Sequence, residues 1–307
     1  MNFRMPANVQ IALLALFLNY PAIAESLPQG DTGKMKTEAP VASQSRASSA
    51  NGEPSISDLE EKSWLILQTG LHSKRAAQRE AAVKALSLLE GNRQAIRLSL
   101  RAMRDKNPRV RAAAASTLGE LHATATVPAL RAAISDKDAS VMLAATYALF
   151  VLKDPMAYEV YYAILMGDKK TSAGMIQSQL GRLKDPKQVA QMGLQEGIGF
   201  VPYAGMGYEA YRQLMKHDSS PVRAAAARYL ALDPDSISED ALIQVAAADK
   251  NIIVREAALD ALAQKSDPKC IQRLAINLDD DKYPIRYRTA ATVIHLASAD
   301  HRKLPAE

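Results

Sequence analysis

The sequence predicts an all-α fold, a right-handed α-solenoid of stacked helix–turn–helix repeats. Three observations support this. Apolar residues make up 48% of the 307 residues, yet aromatic residues make up only 5% and alanine is abundant. Long β-branched runs with period-two alternation, which are typical of strands, are missing. Related helical segments also recur along the chain. A core of small side chains suits close helix packing.

The first 24 residues have the features of a signal peptide. Arg4 gives a positive start, and Val9–Leu18 forms a short apolar stretch. Pro21 and the small residues Ala22–Ala24 then fit a cleavage site. A membrane span takes about 20 apolar residues, more than this stretch offers, and residue 25 is Glu25 rather than the cysteine of a lipoprotein. We expect cleavage after Ala24 and export to the periplasm or the medium, with no second span in the mature chain.

Cysteine content and charge narrow the function classes. Cys270 is the only cysteine, so no intrachain disulfide can form. We expect a buried, inert thiol, because a catalytic thiol needs a histidine and none is close in sequence. The net charge is +5, and loss of the signal peptide removes only Arg4, which leaves +4. This mild excess does not favour nucleic acid as a partner.

The predicted domain organisation has four parts: a signal peptide (residues 1–24), a disordered linker (25–56), a repeat solenoid (57–300) and a C-terminal tail (301–307). The linker is rich in Ser, Ala, Pro and Gly and has too few large apolar groups to offset the entropy of ordering. Ser57 with Glu60 predicts a capping box at the start of the first helix, which we expect to end near Gly70.

Seven related helices recur along the chain. The segment Asp105–Leu121 aligns with Asp136–Leu152, which begins 31 residues later. Within a copy, apolar residues at i, i+3, i+8 and i+11 form one helical stripe. Shorter amphipathic segments separate the copies, so each unit is a helix–turn–helix whose apolar face needs a stacked neighbour. Further copies are Asp218–Leu232, Asp249–Leu262 and Asp281–Leu296.

An aspartate followed four or five residues later by Val-Arg or Ile-Arg marks these copies. The residues are Asp105/Val110/Arg111, Asp218/Val222/Arg223, Asp249/Val254/Arg255 and Asp281/Ile285/Arg286. The pattern resembles bacterial HEAT-like repeats of the HEAT/PBS-lyase type over residues 72–300. The resemblance implies a structural ladder between repeats and no catalysis. That ladder would comprise Asp105, Arg111, Asp218, Arg223, Asp249, Arg255, Asp281 and Arg286. The copy at Asp136 departs from the pattern, with Met142 in place of the arginine.

One stretch, Glu196–Tyr211 (EGIGFVPYAGMGYEAY), interrupts the repeat and predicts a Gly/aromatic insertion at about residues 195–212. Insertions in solenoids map to loops on one face, often the binding face. Three interpretations stay open: a packing plug, a contact for a protein or peptide, or a membrane-interface loop. The candidate contact residues are Ile198, Phe200, Val201, Tyr203, Met206 and Tyr208.

A second uneven feature is basic. Between Lys74 and Arg111 there are eleven Lys and Arg residues against three acidic ones. Within this region, a candidate basic patch of four arginines follows one helix face: Arg93, Arg97, Arg101 and Arg104. The patch is either a solvated face or a dock for an acidic partner or anionic lipid headgroups.

Motifs that would indicate an enzyme are missing. The five histidines form no H-E-x-x-H, H-x-H or His-Glu pair, and neither a G-x-S-x-G elbow nor a P-loop occurs. We therefore predict no catalytic, cofactor-binding or metal-binding residues. The expected function is an exported, non-enzymatic scaffold or adaptor that binds a protein partner. The alternative is a membrane-surface protein that uses the basic helix and the Gly-rich loop, and a HEAT-type lyase is third.

Overall fold

A computed structural model describes residues 53–166 and 219–303, which belong to one compact unit, Glu53–Glu307. The predicted all-α solenoid is confirmed: the described residues form twelve α-helices and short 3₁₀ turns, without strands. The helices are α1 Ile56–Leu71, α2 Ala76–Ala85, α3 Arg93–Ala102, α4 Pro108–Glu120, α5 Val127–Ala133, α6 Ala139–Val151, α7 Pro155–Met166, α8 Ser220–Leu230, α9 Ser236–Ala248, α10 Ile252–Lys265, α11 Ile271–Leu274 and α12 Tyr283–Lys303. Among these helices, none is both long enough and apolar enough to cross a bilayer.

Asparagine and aspartate side chains begin several of the helices. Asn107, for example, accepts a hydrogen bond from the Arg109 N–H before α4, and Asn251 accepts one from the Ile253 N–H before α10. Such caps satisfy N–H groups that have no partner inside the helix. The predicted cap of the first helix was wrong by two residues: Ser55, not Ser57, forms the capping box, with Asp58. Both serines precede an acidic residue by three positions, so the pattern fits either.

The helices lie in two layers. The even-numbered helices α2, α4 and α6 pack side by side as inner helices, and the outer helices α3 and α5 pack against α4 and α6. Leu118 of α4 is fully buried between the layers. Gly119 allows the close approach of α4 to α6, because a Cβ at this position would lie 2.8 Å from the Ala148 Cα. Alanine and glycine therefore set the short spacing of the stack.

The two ends of the solenoid meet. The C-terminal helix α12 packs against both α1 and α2 as well as against its sequence neighbour α10. The Lys62 Nζ lies 2.7 Å from an Asp279 carboxylate oxygen, and the Gln272 side-chain amide donates to the Pro54 carbonyl at 2.8 Å. The Tyr287 ring packs tightly against Gly70 of α1. The repeat pattern gave no indication of this contact.

The contact between the ends continues the repeat geometry. In spatial order the inner helices run α8, α10, α12, α2, α4 and α6. The Thr117 hydroxyl of α4 donates to the Val83 carbonyl of α2 at 3.2 Å. The Thr292 hydroxyl of α12 lies 3.5 Å from the Leu259 carbonyl of α10, although its shorter bond, at 3.0 Å, goes to the Arg288 carbonyl of its own helix. At the junction, the Arg288 guanidinium donates to the Lys84 carbonyl at 3.1 Å. The last repeat thus stacks on the first as one repeat stacks on the next.

Replacement of Leu118 tests the register of the stack. Leu118 is 0% exposed, so we expect Leu118→Ala to lower the free energy of unfolding by about 2–5 kcal/mol in urea titrations. The matched control is Leu65→Ala, because Leu65 on α1 is 64% exposed and its loss should change stability by no more than about 0.5 kcal/mol. A loss below about 1 kcal/mol for Leu118→Ala would contradict its place in the core.

Candidate functional site

The predicted Gly/aromatic contact loop lies outside the described residues. This applies to all six of its candidate contacts: Ile198, Phe200, Val201, Tyr203, Met206 and Tyr208. The loop stays a prediction. The described residues instead present three charged features on the stack: a row of ion pairs, a basic outer helix and a cluster on the inner helices.

The ion pairs connect successive repeats. The Arg79 guanidinium binds the Asp105 carboxylate with two nitrogens, at 2.7 and 2.8 Å. Arg111 binds the Asp136 carboxylate of the next repeat in the same way, also at 2.8 and 2.7 Å. Two equivalent pairs, Arg223–Asp249 and Arg255–Asp280, follow in the C-terminal half. Each arginine thus reaches the turn that begins the next inner helix.

Each turn aspartate has a second role. The Asp105 carboxylate also accepts the Asn107 N–H at 2.8 Å, and the Asp105 carbonyl accepts the Arg111 guanidinium at 2.9 Å. One residue therefore caps a turn, receives the arginine of the preceding repeat and holds the arginine of its own repeat. Asp218, another predicted member, lies outside the described residues.

One predicted member of this row was wrong. Arg255 contacts Asp280, not Asp281. Asp280 also accepts the Lys282 N–H, and its carbonyl accepts the Arg286 guanidinium, so it occupies the position that Asp105 occupies in its own repeat. Asp279 lies at the junction of the ends, where it pairs with Lys62. Three consecutive aspartates fit the sequence pattern equally well, and the geometry selects the middle one.

The arginines of the basic patch lie as predicted on an exposed helix face. Arg93, Arg97 and Arg101 are exposed on α3, and Arg104 is exposed just beyond it. The opposite face of α3 packs on the core through Ile96, Leu100 and Met103. Other cations of this region have structural partners: Arg79 and Arg111 belong to the row of ion pairs, and Lys84 pairs with Glu80. The patch is therefore smaller than the sequence count suggests.

The inner helices carry a charged cluster that the sequence analysis missed. It consists of Glu256 and Asp260 on α10, Arg288 on α12, Lys84 on α2 and Glu120 on α4. Arg288 is central: it pairs with Asp260 and donates to the Lys84 carbonyl and, at 3.5 Å, to the Ser87 hydroxyl. The cluster joins both halves of the chain, because α10 and α12 come from one half and α2 and α4 from the other.

The cluster lies on the solvent-facing side of the inner helices. Glu120 touches solvent, yet burial by the surrounding protein raises the pKa of its carboxyl, and a hydrogen bond from Ser87 and the charges of Arg288 and Lys84 offset this only in part. Burial likewise raises the pKa of the Glu256 carboxyl despite the charges of Arg288 and Lys84. Glu120 and Glu256 therefore lie where solvent and the other charges of the cluster meet. We call the surface around this cluster the inner recess.

Aromatic side chains continue the inner recess toward α7. Burial raises the pKa of Tyr147 on α6, and the charge of Glu120 raises it further. Tyr147 and Glu120 are therefore neighbours. Phe150 follows Tyr147 by one helical turn, and its ring centroid lies 6.1 Å from that of Tyr161 and 5.7 Å from that of Tyr158, both edge to face. Phe150 and Tyr158 are exposed. The recess therefore has a charged end and an aromatic end.

A weak signal in the sequence could have indicated the inner recess. Aligned copies place Lys84, Ser116, Tyr147 and Asp260 at the same position of their repeats, and all four are polar in an otherwise alanine-rich helix. The pattern indicates a face of the inner helices that does not belong to the hydrophobic core. It does not show that α12 stacks on α2, and only this contact brings Asp260 and Arg288 to Lys84.

Other groups in the described residues have structural roles or form no site. A cavity of about 390 Å³ lies beside the turn at Asp233, but that carboxylate already accepts the Asp235 N–H and the Ser238 hydroxyl. Cys270 is buried, and burial raises the pKa of its thiol to about 12, as expected for an inert cysteine. Over residues 53–166 and 219–303, no group of three or more His, Cys, Asp or Glu is arranged to hold a metal ion.

Comparison with known families agrees with the repeat geometry. The family model for HEAT repeats matches residues 65–150 and 209–294, more than half of the chain. The chain belongs to the HEAT-repeat family. The predicted resemblance is thereby confirmed. No curated protein matches the sequence.

Solved structures similar to this HEAT-repeat protein are distant. Human deoxyhypusine hydroxylase in complex with glycerol is 19% identical, with 78% of this chain and 97% of that chain covered and a TM-score of 0.33. The complex of CpcE and CpcF of phycocyanin lyase from Nostoc sp. PCC7120 is 16% identical, with coverage of 82% and 99% and a TM-score of 0.30. An engineered protein is 12% identical, with coverage of 79% and 97% and a TM-score of 0.24. At this similarity, none of the three bears on the activity of this protein.

The row of ion pairs predicts a pH-dependent stability. The hydrogen bonds from Arg79 hold the pKa of Asp105 below its usual value of 3.8. A carboxyl with a lowered pKa in the folded state contributes stability above its unfolded pKa and loses it as pH falls through the folded pKa. We expect Asp105→Asn to lower the free energy of unfolding by about 2–3 kcal/mol at pH 7. This difference should shrink as pH falls below about 4.

Urea titrations across this pH range measure the effect. The control is Asp240→Asn, because Asp240 pairs with Arg273 at the surface and is itself 62% exposed, so its loss should cost less than about 1 kcal/mol. Equal losses for the two variants at pH 7 would contradict a structural role for the Asp105 pair.

Proposed function

We propose that this HEAT-repeat protein is an exported, non-enzymatic scaffold that binds a protein partner through the inner recess. The observation that carries the proposal is the recess itself, where charged and aromatic side chains from both halves of the chain converge on one surface. Stacked repeats commonly present such surfaces to protein partners. The sequence supports export through the segment Arg4 to Ala24.

Preorganisation is the proposed mechanism. The row of ion pairs fixes the register between neighbouring repeats, and the junction of α12 with α1 and α2 holds the two halves together. The side chains of the recess are thus held in place before the partner arrives. Less freedom is then lost on association, which favours binding without any chemical step.

In-cell photo-crosslinking tests this function. A photoreactive residue replaces Tyr147 in the recess, and a control probe replaces Ile276, which is 74% exposed outside the recess. We expect a discrete protein adduct from position 147 only, on a chain whose first residue is Glu25. An intact signal segment on cytoplasmic protein would refute export, and equal adducts from both probes would refute the recess as the binding surface. A chromophore or metal that copurifies with the protein would favour the lyase alternative.

A second candidate is association with an anionic membrane surface. The observation that favours it is the exposed row Arg93, Arg97 and Arg101 on α3. Each basic side chain near an anionic surface contributes about 1 kcal/mol, and salt screens the attraction. Salt-sensitive binding to anionic vesicles, without a protein adduct from the recess, would select this candidate over the first.

A further inference from the structure

The inner recess reverses the charge of the rest of the molecule. The chain as a whole carries +5, and the arginines of α3 add an exposed basic face. Among the described residues, the cations that act on Glu120 and Glu256 are Lys84 and Arg288, and Ser87 also donates a hydrogen bond to Glu120. Arg288 is already paired with Asp260, and Lys84 with Glu80. Glu120 and Glu256 therefore lack a full cationic partner within the cluster.

Burial makes this imbalance costly. Taking a carboxylate out of water destabilises the charged form unless opposite charge or hydrogen bonds compensate. Glu256 is partly buried and Glu120 stays exposed, and burial by the surrounding protein raises the pKa of both carboxyls. A protein that retains such uncompensated charges loses stability through them, which is typical of binding sites. A bound cation would supply the missing compensation.

A buried polar atom beside the cluster also lacks a partner. Ser116 is one helical turn before Glu120, so both side chains project from the same side of α4. This side of α4 is opposite Leu118, which is fully buried. Ser116 is only 8% exposed, and its Oγ has no hydrogen-bond partner in the described part of the chain.

The aromatic end of the recess also favours cationic side chains. Tyr147 lies next to Glu120, and Phe150 and Tyr161 continue the surface toward α7. Aromatic faces attract Lys and Arg side chains, and acidic neighbours strengthen that attraction. From α10 to α6 the recess crosses five inner helices. At helix spacings of 8–10 Å this is about 36 Å, the length of about ten extended residues.

We propose that the inner recess binds an extended, Lys- or Arg-rich segment of the partner protein. The cationic side chains of this segment contact Glu120, Glu256 and Tyr147. This assignment rests on the proposed function, because it names the chemistry of the partner for the same surface. The length of the recess favours a chain segment over a single small cation. The negative charge of the inner recess excludes acidic partners at this surface. Acidic partners would suit the arginines of α3 instead.

Binding of labelled peptides to the purified protein tests the assignment. The probes are a ten-residue lysine peptide and a ten-residue glutamate peptide, followed by fluorescence anisotropy at moderate salt. We expect the lysine peptide to bind and the glutamate peptide not to compete with it. The variant Glu120→Gln/Glu256→Gln should weaken lysine-peptide binding at least about tenfold. A matched control is Glu90→Gln/Asp240→Asn, which removes two carboxylates that are 66% and 62% exposed and should change the affinity less than about twofold.

A stability measurement excludes misfolding as the cause of lost binding. An acidic group whose pKa is raised in the folded state contributes stability below its unfolded pKa and costs stability as pH rises through the folded pKa. Glu256 has its pKa raised by burial and faces Arg288, Asp260 and Lys84. The Glu120→Gln/Glu256→Gln variant should therefore melt no lower than the parent at pH 7.5.

The outcomes separate this assignment from the function on which it rests. Unchanged lysine-peptide binding in Glu120→Gln/Glu256→Gln, or preference for the glutamate peptide, would overturn the cationic partner. Spermine that displaces the peptide at equal concentration would also overturn it, in favour of a free polyamine. A protein adduct from position 147 without any lysine-peptide binding would leave the scaffold function standing and refute only the partner's charge. Absence of both the protein adduct and lysine-peptide binding would refute both the scaffold function and the cationic partner.

Discussion

The packing of α12 on α1 and α2 is the contact on which the rest of the architecture depends. An α-solenoid exposes an apolar face at each end, because every repeat is covered only by its neighbours. Here the two ends cover each other. Ile285 and Ile294 of α12 and Leu67 of α1 are fully buried in one continuous core. Gly70 permits the contact, since a Cβ there would lie 2.6 Å from the Tyr287 ring. The first and last repeats along the chain thus cover each other's apolar face with a single interface.

This closure also creates the inner recess. Arg288 can reach Asp260 from within its own half, but its contacts with the Lys84 carbonyl and Ser87 exist only because the ends meet. The ion pairs such as Arg79–Asp105 then carry the register onward through the N-terminal repeats to Tyr147. The charges of the row of ion pairs therefore differ from those of the inner recess. Asp105 and Asp136 of the row have a lowered pKa because an arginine binds each of them, whereas Glu120 and Glu256 have a raised pKa because burial outweighs the nearby charges of Arg288 and Lys84.

Local periodicity made much of this fold predictable. The recurrence of Asp105 at Asp136 and the helical stripes fixed the all-α repeat architecture, because each repeat follows the same rules of capping and burial. The roles of single residues were harder to predict from the sequence. A run of three aspartates does not distinguish Asp280 from Asp281, and two serines fit the capping pattern of the first helix equally well. Both ambiguities are resolved by contacts, of Asp279 with Lys62 and of Ser55 with Asp58. The candidate site was harder to predict, since Lys62 and Asp279 are 217 positions apart and such pairings leave no periodic trace.

Crosslinking between α1 and the turn before α12 tests whether the first and last repeats pack on each other. In the variant Lys62→Cys/Asp279→Cys, a short bismaleimide should join the two thiols within one chain, because the native side chains touch at 2.7 Å while Cys270 is buried. We expect a high yield of intrachain crosslink that is independent of protein concentration, and no crosslink in either variant with one introduced cysteine, because the native Cys270 is buried. Absence of the crosslink in the folded double variant, or formation only between chains, would show that the ends do not close on each other and that the inner recess does not exist as described.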